Sequence, residues 1–221
     1  MDLHEEIFEQ ASRKFNSSEE LESLMPAVLT KEQLENRSDA FYLSAMSRRI
    51  FQAGMRHSVI NSKWTHFEEV FWGFDPKKII YIDEAFMERA MQDRGLIRHW
   101  GKLQTIPVNA LEMIDFSEEH GSFGLLIANW DQDITALWAL IAKRFKRMGG
   151  KSSSYFLRMV GLDTFILTDD VVRRLITLNI IDKKPTSKKD ILTVNNTFNE
   201  LREASGRPLS HLSKLLALSL E

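Results

Sequence analysis

Two neighbouring carboxylates, Asp169 and Asp170, follow the apolar run Thr164-Phe165-Ile166-Leu167 and precede the amphipathic segment Val171-Val172-Arg173-Arg174-Leu175. Acids in the first turn of a helix answer the positive end of its dipole, and that role alone would explain them. A carboxylate held at a helix start can also stabilise positive charge developing on a reacting sugar and orient or deprotonate a water. Upstream, Lys143, Arg144, Lys146, Arg147 and Lys151 crowd around Gly149-Gly150, and Ser152-Ser153-Ser154 follow. A helix ending in bases, a glycine turn and a serine-led helix suit a bound anion such as a phosphate, with Gly149, Gly150, Lys151 and Ser152 as its contacts. The same letters also describe an ordinary pair of helices with a glycine C-cap and a serine N-cap.

The rest of the composition narrows the chemistry. The chain has no cysteine, which excludes disulfides, thiolate nucleophiles and cysteine-held metals. The six histidines (His4, His57, His66, His99, His120, His211) show no ligand spacing, so no metal is expected. No nucleotide-binding glycine loop or Ser-His-Asp pattern is present, and no small-molecule cofactor is expected. The net charge of −2 at first argues against nucleic acid, yet it is unevenly spread. Residues 1–40 sum to −6, residues 41–140 to −3 and residues 141–221 to +7, so the basic part coincides with the glycine turn. No apolar run approaches a membrane span and the first ten residues are acidic, so an intracellular, cytoplasmic protein is expected, nucleoid-associated if bacterial.

The elements that must position these residues read as helices throughout. Phe41 to Trp72 reads as two helices broken at Gly54. Asp83-Glu84 opens a helix carrying Phe86, Met87 and Ala90. Ile97 to Ile114 reads as one helix kinked at Pro107, placing Arg98, His99 and Lys102 on one face, either towards DNA or plain solvent. Ile134 to Phe145 is apolar on most sides and so is expected to be central. Helices are further expected over Ser152–Val160, Val171–Leu178, Asp190–Ala204 and Leu209–Leu218. Thr164 to Leu167 could pass for a strand. The division expected is an acidic helical segment, 1–40, and an all-α domain, 41–221, with the hairpin at about 143–160.

Asp169-Asp170-Val171-Val172-Arg173-Arg174 follows an Asp-x-x-apolar-x-Arg pattern shortly after a glycine hairpin, and in this it resembles the helix-hairpin-helix DNA glycosylases. The resemblance implies two helical subdomains with a cleft between them, a hairpin on the DNA backbone and Asp169 at the scissile sugar, with Asp170 the runner-up. The superfamily hairpin reads Gly-apolar-Gly, and here the first glycine is replaced by Arg147 or Met148, depending on register. With Gly149 as the second glycine, Lys151 falls where strand-cleaving members carry a lysine. With Gly150, that position is Ser152 and the enzyme only removes the base.

Four further segments are similar to DNA-3-methyladenine glycosylase I: Phe51-Gln52-Ala53-Gly54, Gly73-Phe74-Asp75-Pro76-Lys77, Asp93-x-Gly95-Leu96-Ile97-Arg98-His99-x-Gly101-Lys102-Leu103, and Asn109-Ala110. That family closes a zinc site with cysteines and histidines, which this chain lacks. Its base-stacking tryptophan position is His57 here, and its base-reading glutamate position is Arg49. With Phe51, these form the expected base pocket, and Trp64 and Trp100 are further stacking candidates. The resemblance implies a monofunctional, monomeric glycosylase acting on an alkylated purine such as 3-methyladenine in damaged double-stranded DNA. The alternative is a non-catalytic DNA-binding module that keeps the fold and has lost the pocket.

Overall fold

The computed structural model describes residues 2–220. All regular structure among them is helical. Thr164 to Leu167 is buried but irregular, because no second strand exists among the described residues to pair with it. The chain divides into two compact units, one of residues 1–29 and 161–221, the other of residues 30–160. This packing boundary precedes the compositional one at 40, and the N-terminal segment shares its unit with the last third of the chain.

That discontinuous unit begins with α1 (Leu3–Ser12) and α2 (Ser18–Ser23). Helix α1 buries Ile7 and Ala11, one turn apart on one face.

The continuous unit follows with α3 (Lys31–Glu35), α4 (Asp39–Gln52), α5 (His57–Val70), a 3-10 turn at Trp72–Phe74, α6 (Pro76–Ile79) and α7 (Glu84–Gln92). It continues with α8 (Trp100–Leu103), α9 (Thr105–His120), α10 (Phe123–Ala128), α11 (Ile134–Arg144) and α12 (Ser152–Met159). The break between α4 and α5 falls at Gly54, whose φ of 76° suits a residue without a Cβ. Asp83 caps α7 by accepting from the Phe86 N–H at 2.7 Å. The core of this unit is aromatic. Trp64 stacks on Phe67 (4.8 Å) and Phe74 (5.5 Å), and Phe51 meets Phe67 edge-on at 4.8 Å. A second cluster, Phe116, Phe123, Phe145 and Phe156, ties α9, α10 and α12 to the residue that ends α11.

Two sequence expectations change here. Pro107 does not kink a long helix: it lies in the first turn of α9, where its missing N–H costs nothing, and the chain breaks before it at Gln104. Helix α11 is not central, burying only Leu137 and Ile141. Its alanines and isoleucines lower the polarity of every face without requiring that each be covered.

The discontinuous unit resumes with α13 (Asp169–Thr177), α14 (Lys188–Ser205) and α15 (Leu209–Leu218). Helices α1 and α13 pack on α15. Phe165 stacks on Phe198 at 4.2 Å. The Asp163 carboxylate accepts from the Leu209 and Ser210 N–H groups at 3.0 and 2.8 Å, capping α15.

Candidate functional site

The glycine hairpin is not the ordinary helix pair. Helix α11 ends at an extended Phe145 rather than a glycine, and the N-cap position of α12 is Lys151, which makes no side-chain cap bond. Ser152, Ser153 and Ser154 are buried instead. The Ser153 hydroxyl donates to the Met148 carbonyl at 2.6 Å and the Ser154 hydroxyl to the Lys151 carbonyl at 3.0 Å, so the serines brace the turn from below. The Ser152 N–H donates to the Gly149 carbonyl at 3.2 Å. That bond removes it from the expected anion contacts. Gly149 and Gly150 are exposed, with open space where a Cβ would stand.

Met148 is fully buried, and Arg147 before it holds a left-handed φ of 61°. A buried Met148 suits the apolar place of the Gly-apolar-Gly pattern when Gly149 is its second glycine, the alignment in which Lys151 stands two residues further on. A left-handed non-glycine residue costs on the order of 1–3 kcal/mol and persists where the surroundings fix it. Asn109 supplies part of that fixing. Its buried amide donates to the Lys146 carbonyl at 3.2 Å, and its carbonyl accepts from the Lys146 N–H at 2.7 Å. In the sequence Asn109 stands in a matching segment, and nothing local shows this task.

Arg49, Gln52, the turn at Ala53-Gly54-Met55-Arg56, His57, Lys151 and Tyr155 line a cavity of about 510 Å³. Every one of them belongs to the continuous unit. Such a volume is ample for a purine. The end of α4 supplies Arg49 and Gln52, the start of α5 supplies His57, and the hairpin side supplies Lys151 and Tyr155. The Arg49 guanidinium lies over the Tyr155 ring, 4.4 Å from its centroid, an arrangement that a planar cation favours. Burial pushes the Arg49 guanidinium below its ordinary range.

The turn is held open by Lys102. Its buried ammonium donates to the Phe51 and Ala53 carbonyls at 3.0 and 2.7 Å, satisfying the free end of α4. Burial, then the nearby Arg147 and Arg49 charges, push its pKa down. Lys102 is therefore not on a DNA-facing surface with Arg98 and His99. Those two precede α8 in irregular backbone, so the helical face that grouped the three does not exist.

Of the expected base pocket, His57 and Arg49 are brought together on the cavity wall. Phe51 is not: it is fully buried in the aromatic core, as is Trp64, whose indole N–H donates to Ser44 at 2.9 Å. Trp100 is part-exposed on α8 and does not line the cavity. Tyr155, which the sequence reading passed over, is the aromatic wall actually present.

Asp169 lies in the first turn of α13 and is exposed, with Thr168 as the N-cap accepting from the Val171 N–H at 3.2 Å. Asp170 is exposed too and pairs with Arg173 on its own helix. The arginine that completes the motif is an anchor. Arg174 is buried and donates to Glu6 (3.0 Å), Gln10 and Ser219 (3.1 Å), joining α13 to α1 and to the end of α15.

A cysteine-and-histidine zinc site does not fit this chain. The sequence has no thiolate to offer, and among the described residues no group of three or more His, Asp or Glu converges as a metal requires. No helix among them is long and apolar enough to cross a membrane.

An all-helical fold with a braced hairpin between α11 and α12 is the architecture of the helix-hairpin-helix DNA glycosylase fold. Solved structures agree on that fold. The 8-oxoguanine glycosylase/lyase of Methanocaldococcus jannaschii, solved with a 15mer DNA containing 8-oxoguanine, aligns over 98% of this chain and 96% of its own, with TM-score 0.55 and 16% identity. 3-Methyladenine DNA glycosylase I of Staphylococcus aureus aligns over 70% of this chain and 91% of its own, with TM-score 0.51 and 17% identity. The family model for methyladenine glycosylase matches residues 34–149, just over half of the chain, and the chain belongs to that family. DNA-3-methyladenine glycosylase 1 of Escherichia coli K12 is 35% identical over 72 residues, covering 33% of this chain and 38% of its own. The chain spans about a third of the length of the curated relatives it matches.

Proposed function

We propose that the protein is a DNA glycosylase of base excision repair, hydrolysing the N-glycosidic bond of a damaged base flipped out of the duplex. The observation that carries this reading is the cavity itself: the Gln52-Ala53-Gly54 turn of the family segment and Lys151 of the hairpin line one open cavity of about 510 Å³. Extruding a base costs about a few kcal/mol, least for a damaged one, and stacking on an aromatic wall such as Tyr155 returns about 1–3 kcal/mol. Gly149, Gly150 and Lys151 hold the backbone phosphate. The Asp169 carboxylate stabilises the oxocarbenium-like sugar and accepts a proton from the water that attacks C1′, while the base leaves with the bond's electron pair. The relatives' names carry 3-methyladenine, so an alkylated purine heads the assay.

The test is release of free base from methylated, deaminated and oxidised duplexes with enzyme in excess. Activity in wild type that falls at least about 100-fold in Asp169→Asn, with DNA binding retained, is expected for loss of a general base. Release undiminished in that variant shifts the chemistry to Asp170 or to a carboxylate-free route. DNA binding without any release means a binding module only.

The hairpin register favours a second reading of Lys151, as the amine that attacks C1′ and cleaves the strand. Borohydride separates the two. A trapped enzyme–DNA adduct that vanishes in Lys151→Ala marks the lyase, and loss of affinity alone marks the phosphate contact.

A further inference from the structure

The cavity's charge bears on which base it takes, an inference that rests on the glycosylase reading. Arg49 is 8% exposed, and its Nε has no hydrogen-bond partner among the described residues. That Nε is itself shielded from a ligand, but the residue lines the cavity, and its guanidinium carries further N–H donors in a fixed fork. The stack on Tyr155 fixes the plane of the guanidinium, so the acceptor must arrive along a set direction. Around it stand Gln52, Arg56, His57 and Lys151, and none of the nine lining residues is acidic. With Lys151 taken up by the phosphate, a ring bearing positive charge would still meet Arg49 and Arg56 here, with no carboxylate among the lining residues to offset them.

We infer that the pocket selects an uncharged oxopurine, a base whose carbonyl oxygen accepts from Arg49, and disfavours a base carrying positive charge, with Arg49 as the residue that sets this preference. Hypoxanthine, the deaminated form of adenine, is the simplest member of the class. 3-Methyladenine, cationic while attached to its sugar, is the opposite case. Normal guanine also carries a 6-carbonyl, but its intact pairing makes it costlier to extrude.

The test compares single-turnover release by the full chain from duplexes containing hypoxanthine, 8-oxoguanine or 3-methyladenine. The uncharged bases should leave at least about tenfold faster than 3-methyladenine, the scale of one charge-assisted hydrogen bond. Arg49→Met should erase that preference while binding undamaged duplex as wild type does. Arg49→Glu should reverse it, and if that variant fails to fold by circular dichroism, Arg49→Met decides alone. Faster release of 3-methyladenine by wild type, or an unchanged ratio in a folded variant, overturns the inference and leaves the glycosylase intact. Equal loss of affinity for undamaged duplex in Arg49→Met also overturns it, since Arg49 would then hold a backbone phosphate. If wild type releases nothing, the glycosylase reading fails, and calorimetry with free hypoxanthine judges the pocket: binding weakened about tenfold by Arg49→Met supports it, and no binding or unchanged binding overturns it.

Discussion

At the scale of single residues, polar side chains buried against backbone do much of the shaping. Lys102 closes the end of α4 through two carbonyls, and Asn109 holds both polar groups of Lys146. Lys102→Met leaves those carbonyls buried without a donor, so stability to urea should fall by about 2 kcal/mol. Base release should fall further than stability explains, because the turn from Ala53 to Arg56 is cavity wall. Asn109→Leu should cost about 2 kcal/mol in the same titration and weaken DNA binding through the hairpin. Neither task was legible in sequence. A lysine in a helical segment looks like surface, and only the tertiary placement of α8 beside α4 makes it a clamp. His57 and Arg49 were legible because a resemblance placed them. Phe51 belongs to the core and not to the expected pocket, because an aromatic at helical spacing reads the same in both.

At the scale of elements, helix limits were well marked where local chemistry sets them. Gly54 separates α4 from α5, Asp83 caps α7, and Thr168 with two acids opens α13. They were poorly marked where packing sets them, as in the one-sided burial of α11. Close approach of elements was also invisible. A Cβ on Gly124 of α10 would stand 2.7 Å from the Leu34 carbonyl of α3, and backbone cannot yield there. Gly124→Ala should therefore lower stability by about 1–3 kcal/mol, read as a lower urea midpoint with unchanged slope. The Asp93-x-Gly95 segment is a locked turn: Asp93 accepts from the Gly95 N–H at 2.7 Å and pairs with His66 at 2.8 Å. The Asp93 hydrogen bond raises the His66 pKa, and the His66 hydrogen bond lowers that of Asp93. The histidine's contribution is complete below its unfolded pKa and is lost as pH rises through the folded one. The aspartate's is complete above its unfolded pKa and is lost as pH falls through the folded one. Melting temperature measured from pH 2 to 9 should show this pair's support complete between the two unfolded pKa values and falling on either side, and His66→Gln should flatten both flanks.

At the scale of the whole molecule, the charge pattern changes meaning once the units are known. The unit of residues 30–160, which holds cavity and hairpin, has 18 Lys+Arg against 16 Asp+Glu; the other has 11 against 15. Acids of the N-terminal segment that looked like a separate acidic region meet bases of the last third, Glu6 with Arg174 and Glu22 with Arg207 at 2.6 Å. Nothing local in residues 1–29 announces partners more than 130 residues away, so the discontinuous unit could not be read ahead. The helical class and the hairpin could be, because periodicity and glycine chemistry are local. DNA affinity should fall with salt, and Lys151→Ala should reduce the slope of log K against log salt by about 1 if that lysine meets a phosphate. Above all, this protein should cut a base from its sugar. The most direct measurement is mass spectrometry of free bases after enzyme in excess meets duplexes carrying methylated, deaminated or oxidised purines. One free modified base is expected for each abasic site formed; damaged DNA recovered intact from every duplex would overturn the glycosylase reading.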